Sequence, residues 1–425
     1  MTVGEELFEL VAELYPICRS ITGDGVRRTL ELVGRELDLE VHEVPSGTRV
    51  FDWTVPREWN IRDAFVADAA GERVIDFQAS NLHVMSYSVP VHATMPLHEL
   101  KQHLFTLPEH PDWVPYRTSY YAERWGFCAS QRLVDSLPDG DYEVCVDATL
   151  ADGHLTYGEH VVPGETDEEV LVSCHVCHPS LANDNLSGIA VATRLARLLE
   201  GTRSRYTHRF LFIPGTIGSI TWLARNADRV GRIRHGMVLA CVGDPGRLTY
   251  KRSRRGDAEI DRAVAHVLAS SGRPHALEDF SPYGYDERQF CSPGFNLPVG
   301  CLTRTPYARY PQYHTSADDL ELVRPEHLQD SLEVCWEVLR VLDGNRRYMN
   351  LNPMCEPQLG RRGLYGSIGG RSDAEERQMA MLWVLNLSDG DHSLLDVASR
   401  AGLPFGLVAE VAGTLQEAGL LAPGA

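Results

Sequence analysis

The chain has no run of 18 consecutive apolar residues, so no membrane-spanning helix is expected. Its opening stretch, MTVGEELFELVAELYPICRS, lacks the basic start and unbroken apolar segment of a secretory signal, and reads as an amphipathic helix. Positive charge is scarce: 40 Lys and Arg against 59 Asp and Glu leave a formal net charge of −19. Affinity for phosphate needs clustered cations, so a general nucleic-acid binder is excluded. The one dense basic run, KRSRR (251–255), reads as a solvated loop or an anion contact near a site. Paired CxxC motifs of the zinc-ribbon type are missing. Ten cysteines without a secretion signal point to reduced thiols and a cytoplasmic location, and the lone CHVC (174–177) is weak support for a redox centre.

What is present is an ordinary globular composition over 425 residues, enough for two or three domains at roughly 150 residues each. Residues 1–40 carry apolar residues at three-and-four spacing, which predicts helices belonging to the main core. From 41 to 160, short alternating runs such as RVIDFQ and LHVMSYSVPV, broken by Gly, Pro, Asn and Asp, predict an inserted β-rich domain. From 161 to 355, compact apolar runs (EEVLVSCH, HRFLFIP, HGMVLACVG, NLPVGCL) alternate with helical segments, the pattern of an α/β core covered on both faces. PEHLQDSLEVCWEVLRVLDGN closes that core as a helix. Residues 356–425 form a linker and a winged-helix-like module, preceded by a loop that runs over 348–372. The module from 372 onward holds eight Asp or Glu, two Arg and no Lys, so a protein contact, such as a homodimer, suits it better than DNA.

The densest chemistry is SCHVCHPSLANDNLSG (173–188), directly after the apolar run 170–172. His175 and His178 fall just past a strand end, where metal ligands of α/β hydrolases converge, and Asp184 or Asn185 opens the next helix. Taken alone, the stretch is equally a helix-capping turn with two polar histidines. His314 lies in YPQYHTSADDLELV, before the last core helix. Asp244 ends a strand in CVGDPG, and Asp286, Glu287 and Arg288 crowd the GYDERQF loop. A loop histidine, an Asp-Pro-Gly turn and a salt-bridged surface turn are the plain alternatives. Tyr283, Tyr285, Tyr310 and Tyr313 occupy the same two loops and either shape a pocket, donate to an oxyanion or pack. Arg288 offers a planar fork to a substrate carboxylate or phosphate, with pairing to Glu287 or Asp286 as the alternative.

The order of these segments resembles the co-catalytic zinc aminopeptidases of the M28 type. It resembles more closely the bacterial aminopeptidase-like domain proteins called DUF4910, which carry an inserted DUF2172 unit. The closer likeness rests on YPICRSITGDGVR, SGTRVFDWTVPREWNIRDA, VPYRTSYY, WGFC, CHPSLANDNLSG, PGTIGSI, SPYGYDERQFCSPGFNLPVG, YHTSADDL and NPMCEPQLGRRGLY, which span about 15–365. The resemblance implies an M28-type core with a mixed sheet flanked by helices, a β-rich insert and a C-terminal winged helix. It also implies zinc, and a small amide or aminoacyl substrate cleaved by an aminopeptidase-like hydrolase. Relatives of this kind often sit among sugar or natural-product biosynthesis genes.

The pattern breaks at one place. M28 peptidases end the strand after the D-N-x-S-G helix in two glutamates, a general base and a metal ligand. Here Gly215 and Thr216 stand there. The strand aspartate of M28 aligns with Cys241 or, less well, with Asp244, and H-x-D reads His175-Val176-Cys177. One zinc ion held by some of His178, Asp184, Asp244 and His314 is therefore expected rather than two. His175 is the weaker candidate, because it competes with His178 for one ligand place. Three accounts fit Gly215: another carboxylate, Glu287 or Asp286, serves as base; the protein keeps the pocket for a non-hydrolytic, biosynthetic role; or the glycine was introduced to trap a ligand.

Overall fold

The computed structural model describes residues 1–364 and 374–424, so part of the expected 348–372 loop lies outside the described residues. The chain divides into two compact units: 1–256 with 276–333, and 257–275 with 334–425.

The first unit is built on an eight-stranded mixed sheet. Its order is Glu40–Pro45, His154–Val162, Thr207–Ile213, Glu169–His175, Ile233–Leu239, Val299–Thr303, Leu248–Lys251, His275–Glu278. The four strands at positions three to six of that order run parallel, and antiparallel neighbours flank them. Glu169–His175 is buried at every position, as a parallel strand covered on both faces must be. Each of its Val and Leu side chains contributes on the order of 1.5–3 kcal/mol by leaving water. The helix Ser187–Glu200 returns across this strand, with all but its Arg194, Arg197, Leu198 and Glu200 positions buried. Gly188 makes that approach close: a Cβ there would lie 2.6 Å from the Leu239 carbonyl oxygen and 2.5 Å from the Asn185 side chain.

The β-rich insert is a four-stranded antiparallel sheet, Arg73–Asp76, Glu58–Ala67, Asp141–Ala151 and Val91–Pro96 in spatial order. It is narrower than the sequence implies. Glu40–Pro45 and His154–Val162, at its expected ends, pair with each other and extend the core sheet.

In the second unit, strands Asp389–Ser393, Arg347–Asn350 and Leu421–Pro423 form a small sheet beside helices Ala374–Leu387, Leu394–Ala401 and Phe405–Glu417. This is the expected winged-helix-like arrangement, but its first strand lies at 347–350, inside the segment read as a loop. The helix Glu259–Ser270, read as part of the core, belongs to this unit. Ser393 and Asp396 close a capping box on Leu394–Ala401, and Gly402, at φ +67°, ends it in the left-handed conformation that glycine adopts without strain.

A candidate metal centre at the strand ends

The site lies where the parallel strands end. Glu169–His175 delivers His175, and the chain continues through Val176, whose N–H donates to the Ile213 carbonyl at 2.9 Å. His178 follows, its carbonyl held by the Arg19 guanidinium at 2.8 Å. Arg19 is fully buried, without an ion-pair partner among the described residues, and desolvation lowers its pKa to about 10.

Asp184 sits in the buried turn Ala182–Leu186 that opens the next helix. Its neighbours are tied from both sides. The Asp318 carboxylate accepts the N–H groups of Asn183 (2.6 Å) and Asp184 (3.0 Å). The Asn185 amide donates to the Leu239 carbonyl at 2.9 Å and accepts the Cys241 N–H at 3.2 Å. Backbone held this firmly aims the Asp184 carboxylate. His175 Nε2 and the Tyr285 hydroxyl both donate to its Oδ1 at 2.8 Å. Its Oδ2 faces His314 Nε2 at 3.0 Å and His178 Nδ1 at 3.2 Å.

Asp184 Oδ2 and His314 Nε2 are buried and have no hydrogen-bond partner. Ligand atoms of His175, His178 and Asp184 lie within 4.8 Å of one another. Burial raises the Asp184 carboxyl, but the His178 charge, the His175 hydrogen bond and the close approach of His314 outweigh it and hold the group well below the usual range. Burial lowers His175 and His314, with Asp184 opposing. An ionised carboxylate among imidazoles, with two orphaned atoms facing each other, is a donor set that suits zinc.

Aromatic rings lock the imidazoles. Tyr285 stacks on His175 at 4.3 Å and Tyr313 on His314 at 4.0 Å. The Tyr285 and Tyr313 hydroxyls meet at 2.9 Å, so the two tyrosines expected to bind substrate stack on the imidazoles and bond to each other. His314 sits at φ +58°, a conformation its surroundings must hold. The insert helps to hold it. Tyr116 N–H donates to the His314 carbonyl at 2.8 Å, and Ser316 N–H to the Val114 carbonyl at 2.8 Å. The buried Tyr116 ring then meets His178 and His314 edge-on, at 5.3 and 5.1 Å.

Other expected site residues fall elsewhere. Asp244 is not in the cluster. Both its oxygens are occupied, by Gly246 N–H, the Thr305 hydroxyl and N–H, and the Asn183 amide at 2.6–3.1 Å. Its carboxylate therefore braces Asn183 from behind. Glu287 faces Lys251 at 2.5 Å, in a space left by Gly284, whose Cβ would collide with both groups. Lys251 and its neighbours in KRSRR are committed internally: Arg252 pairs with Asp279, and Arg254 and Arg255 bind Asn296. Arg288 is half-buried, with a partnerless Nε. Asp286 is fully buried; its Oδ1 accepts the Ser219 hydroxyl at 2.7 Å and its Oδ2 has no partner. Burial raises it to about 7 against the Ser219 bond. The Cys241 thiol accepts the Tyr310 hydroxyl at 3.5 Å and is pushed well up by burial, and all ten cysteines are free.

Four contributors escaped the sequence reading: Asp318, Tyr116, Arg19 and Ser219. All four lie inside the stretches YHTSADDL, VPYRTSYY, YPICRSITGDGVR and PGTIGSI, but nothing in their spacing says that they reach the cluster.

A family model described as "Domain of unknown function (DUF4910)" matches residues 8–345, and a winged helix-turn-helix model, HTH_47, matches 346–423. The chain belongs to the DUF4910 family. A Clostridium acetobutylicum relative, named for polysaccharide biosynthesis and an aminopeptidase-like domain, is 54% identical over 418 residues, covering 98% of this DUF4910 chain and 96% of its own. A crystal structure of a candidate peptidase from Clostridium acetobutylicum superposes with a TM-score of 0.94 at 52% identity, over 99% of this chain and 96% of that one. The Bacillus subtilis zinc aminopeptidase gives 0.59 at 14% identity, over 80% and 95%. An M28 peptidase precursor from Shewanella amazonensis gives 0.58 at 13%, over 80% and 96%. The last two share the fold, so the DUF4910 core has the M28 peptidase architecture.

Proposed function

We propose that this DUF4910 protein is a zinc-dependent amide hydrolase that takes small aminoacyl or peptide-like substrates, with one ion held by His178, Asp184 and His314 and adjoined by His175. The observation that carries the reading is the pair of orphaned buried atoms, Asp184 Oδ2 and His314 Nε2, facing each other with His178 Nδ1 beside them. A bound zinc ion supplies Lewis acidity to a carbonyl oxygen and to water. The chain's own residues do the rest. His175 and Tyr285 fix Asp184 through Oδ1, the kind of outer support that orients metal ligands. Tyr116 closes one side and limits the substrate to small groups. Arg288, with its unpaired Nε, is available to a substrate anion.

The name of the relative supports a role in polysaccharide biosynthesis, and the free thiols support a cytoplasmic setting. We infer a protein contact, such as a homodimer, for the winged-helix unit. Its helix Phe405–Glu417 carries Glu410 and Glu417 and no cation, a poor face for a phosphate backbone.

A second reading, a non-hydrolytic biosynthetic pocket protein, is favoured by Gly215, which brings no carboxylate to its strand end. Metal analysis after chelator-free purification, with a panel of aminoacyl-p-nitroanilides, separates the two. Near-stoichiometric zinc, turnover, and loss of both in His314→Ala support the hydrolase. Metal-free protein without turnover supports the second reading.

A further inference from the structure

This inference rests on the hydrolase reading. Amide hydrolysis needs a group that takes a proton from the attacking water and returns it to the leaving nitrogen. The carboxylates near the centre are mostly committed. Asp184 faces three imidazoles. Asp244 and Asp318 have donors on both oxygens, and Glu287 faces Lys251.

Asp286 differs. It is fully buried and has no ion-pair partner among the described residues; one oxygen accepts the Ser219 hydroxyl and the other accepts nothing. Leaving a buried carboxylate oxygen without a donor is costly, so a fold that keeps one has a use for it or pairs it when a ligand binds. The carboxyl borders the space left by Gly215. A Cβ at 215 would stand 3.5 Å from Asp286 Oδ2, 3.7 Å from Oδ1 and 3.2 Å from His175 Cβ. His175 in turn donates to Asp184. Gly215 thus leaves a gap no wider than a Cβ between the Asp286 carboxyl and His175, and any side chain there would close it.

We propose that Asp286 is the proton carrier of the reaction, working across the gap at Gly215. Its Oδ2 takes a proton from water as the water oxygen bonds to the amide carbonyl carbon. The same proton passes to the leaving nitrogen as the carbon–nitrogen bond breaks. The products are an amine and a carboxylic acid, which gives its own proton to solvent, and Asp286 returns to its starting state.

The test uses the full-length, zinc-loaded protein and aminoacyl-p-nitroanilides. Asp286→Asn should lower kcat by about 10²–10⁴-fold and leave KM within about threefold. Zinc stoichiometry and the visible spectrum of the cobalt-substituted protein should not change. Gly215→Glu placed in the Asp286→Asn background should restore at least about tenfold of kcat by returning a carboxylate to the gap. If Asp286→Asn does not fold, Ser219→Ala, which removes the one donor to the carboxyl, should lower kcat by about threefold or more with KM unchanged. Retained kcat, a loss confined to KM, or an altered cobalt spectrum overturns the assignment while the hydrolase reading stands. Zinc-loaded wild type that turns over no amide overturns the hydrolase reading, and this assignment falls with it.

Discussion

Asp286 makes a prediction that needs no substrate. Burial raises its carboxyl to about 7, from 3.8 for an exposed aspartate. A carboxyl raised on folding binds its proton more tightly in the native state, so the native protein loses stability as pH rises from below 4 and through 7. The full penalty at high pH is about 4 kcal/mol, from 1.36 kcal/mol for each pH unit between the two values. Between pH 5 and pH 8 it grows by about 2–3 kcal/mol. Asp286→Asn keeps the shape and the Ser219 partner but cannot ionise. Its stability relative to wild type should therefore rise by that amount over the same interval. Urea unfolding of both proteins, stripped of metal with a chelator and followed at pH 5 and pH 8, measures the difference. A stability gap that stays constant, or that shrinks toward pH 8, refutes the claim that this carboxyl is buried without a counter-charge.

Other outcomes follow from the same geometry. Tyr285→Phe removes a hydrogen bond to an ionised carboxylate, about 1.5–3 kcal/mol, so zinc affinity measured against a chromophoric chelator should fall about 10–100-fold and excess zinc should restore activity. Asp244→Asn should leave zinc content unchanged, because Asp244 is no ligand, yet cost about 1–3 kcal/mol in unfolding experiments by leaving Gly246 or Thr305 N–H groups facing an amide. Tyr116→Ala should admit bulkier nitroanilides and weaken zinc retention, read from the KM series and from dialysis. A duplex DNA titrated with the full-length protein at low salt should show no binding, given the acidic winged-helix unit.

The sequence carried much of this site because the turns that bear the candidate cluster follow compact apolar runs. His175, His178, Asp184 and His314 come after strands whose residues must be buried, so their side chains have few places to go. Asp244 also follows such a run, but a carboxylate five residues past a strand end can turn either way, and Thr305 and Gly246 captured it. The same ambiguity covers Asp286 and Glu287. Adjacent residues on one short turn point apart, one toward Ser219 and the other toward Lys251, and composition alone does not say which borders Gly215. Tyr116 stayed hidden because it approaches from the insert, about 60 residues before His178 and 200 before His314. The outer two strands of the core sheet, Glu40–Pro45 and His154–Val162, read as insert for a related reason. Alternating patterns look alike at the rim of one sheet and at the start of another.

The wall over the imidazoles is lent by a segment that takes no part in the central sheet. Tyr116 and its neighbour Val114 are stitched to the His314 loop by backbone bonds, while the four-stranded sheet of the insert is a separate sheet. Under the proposed function, whatever the site admits can thus be retuned by rebuilding a ceiling, with the floor of imidazoles and carboxylate left as it is.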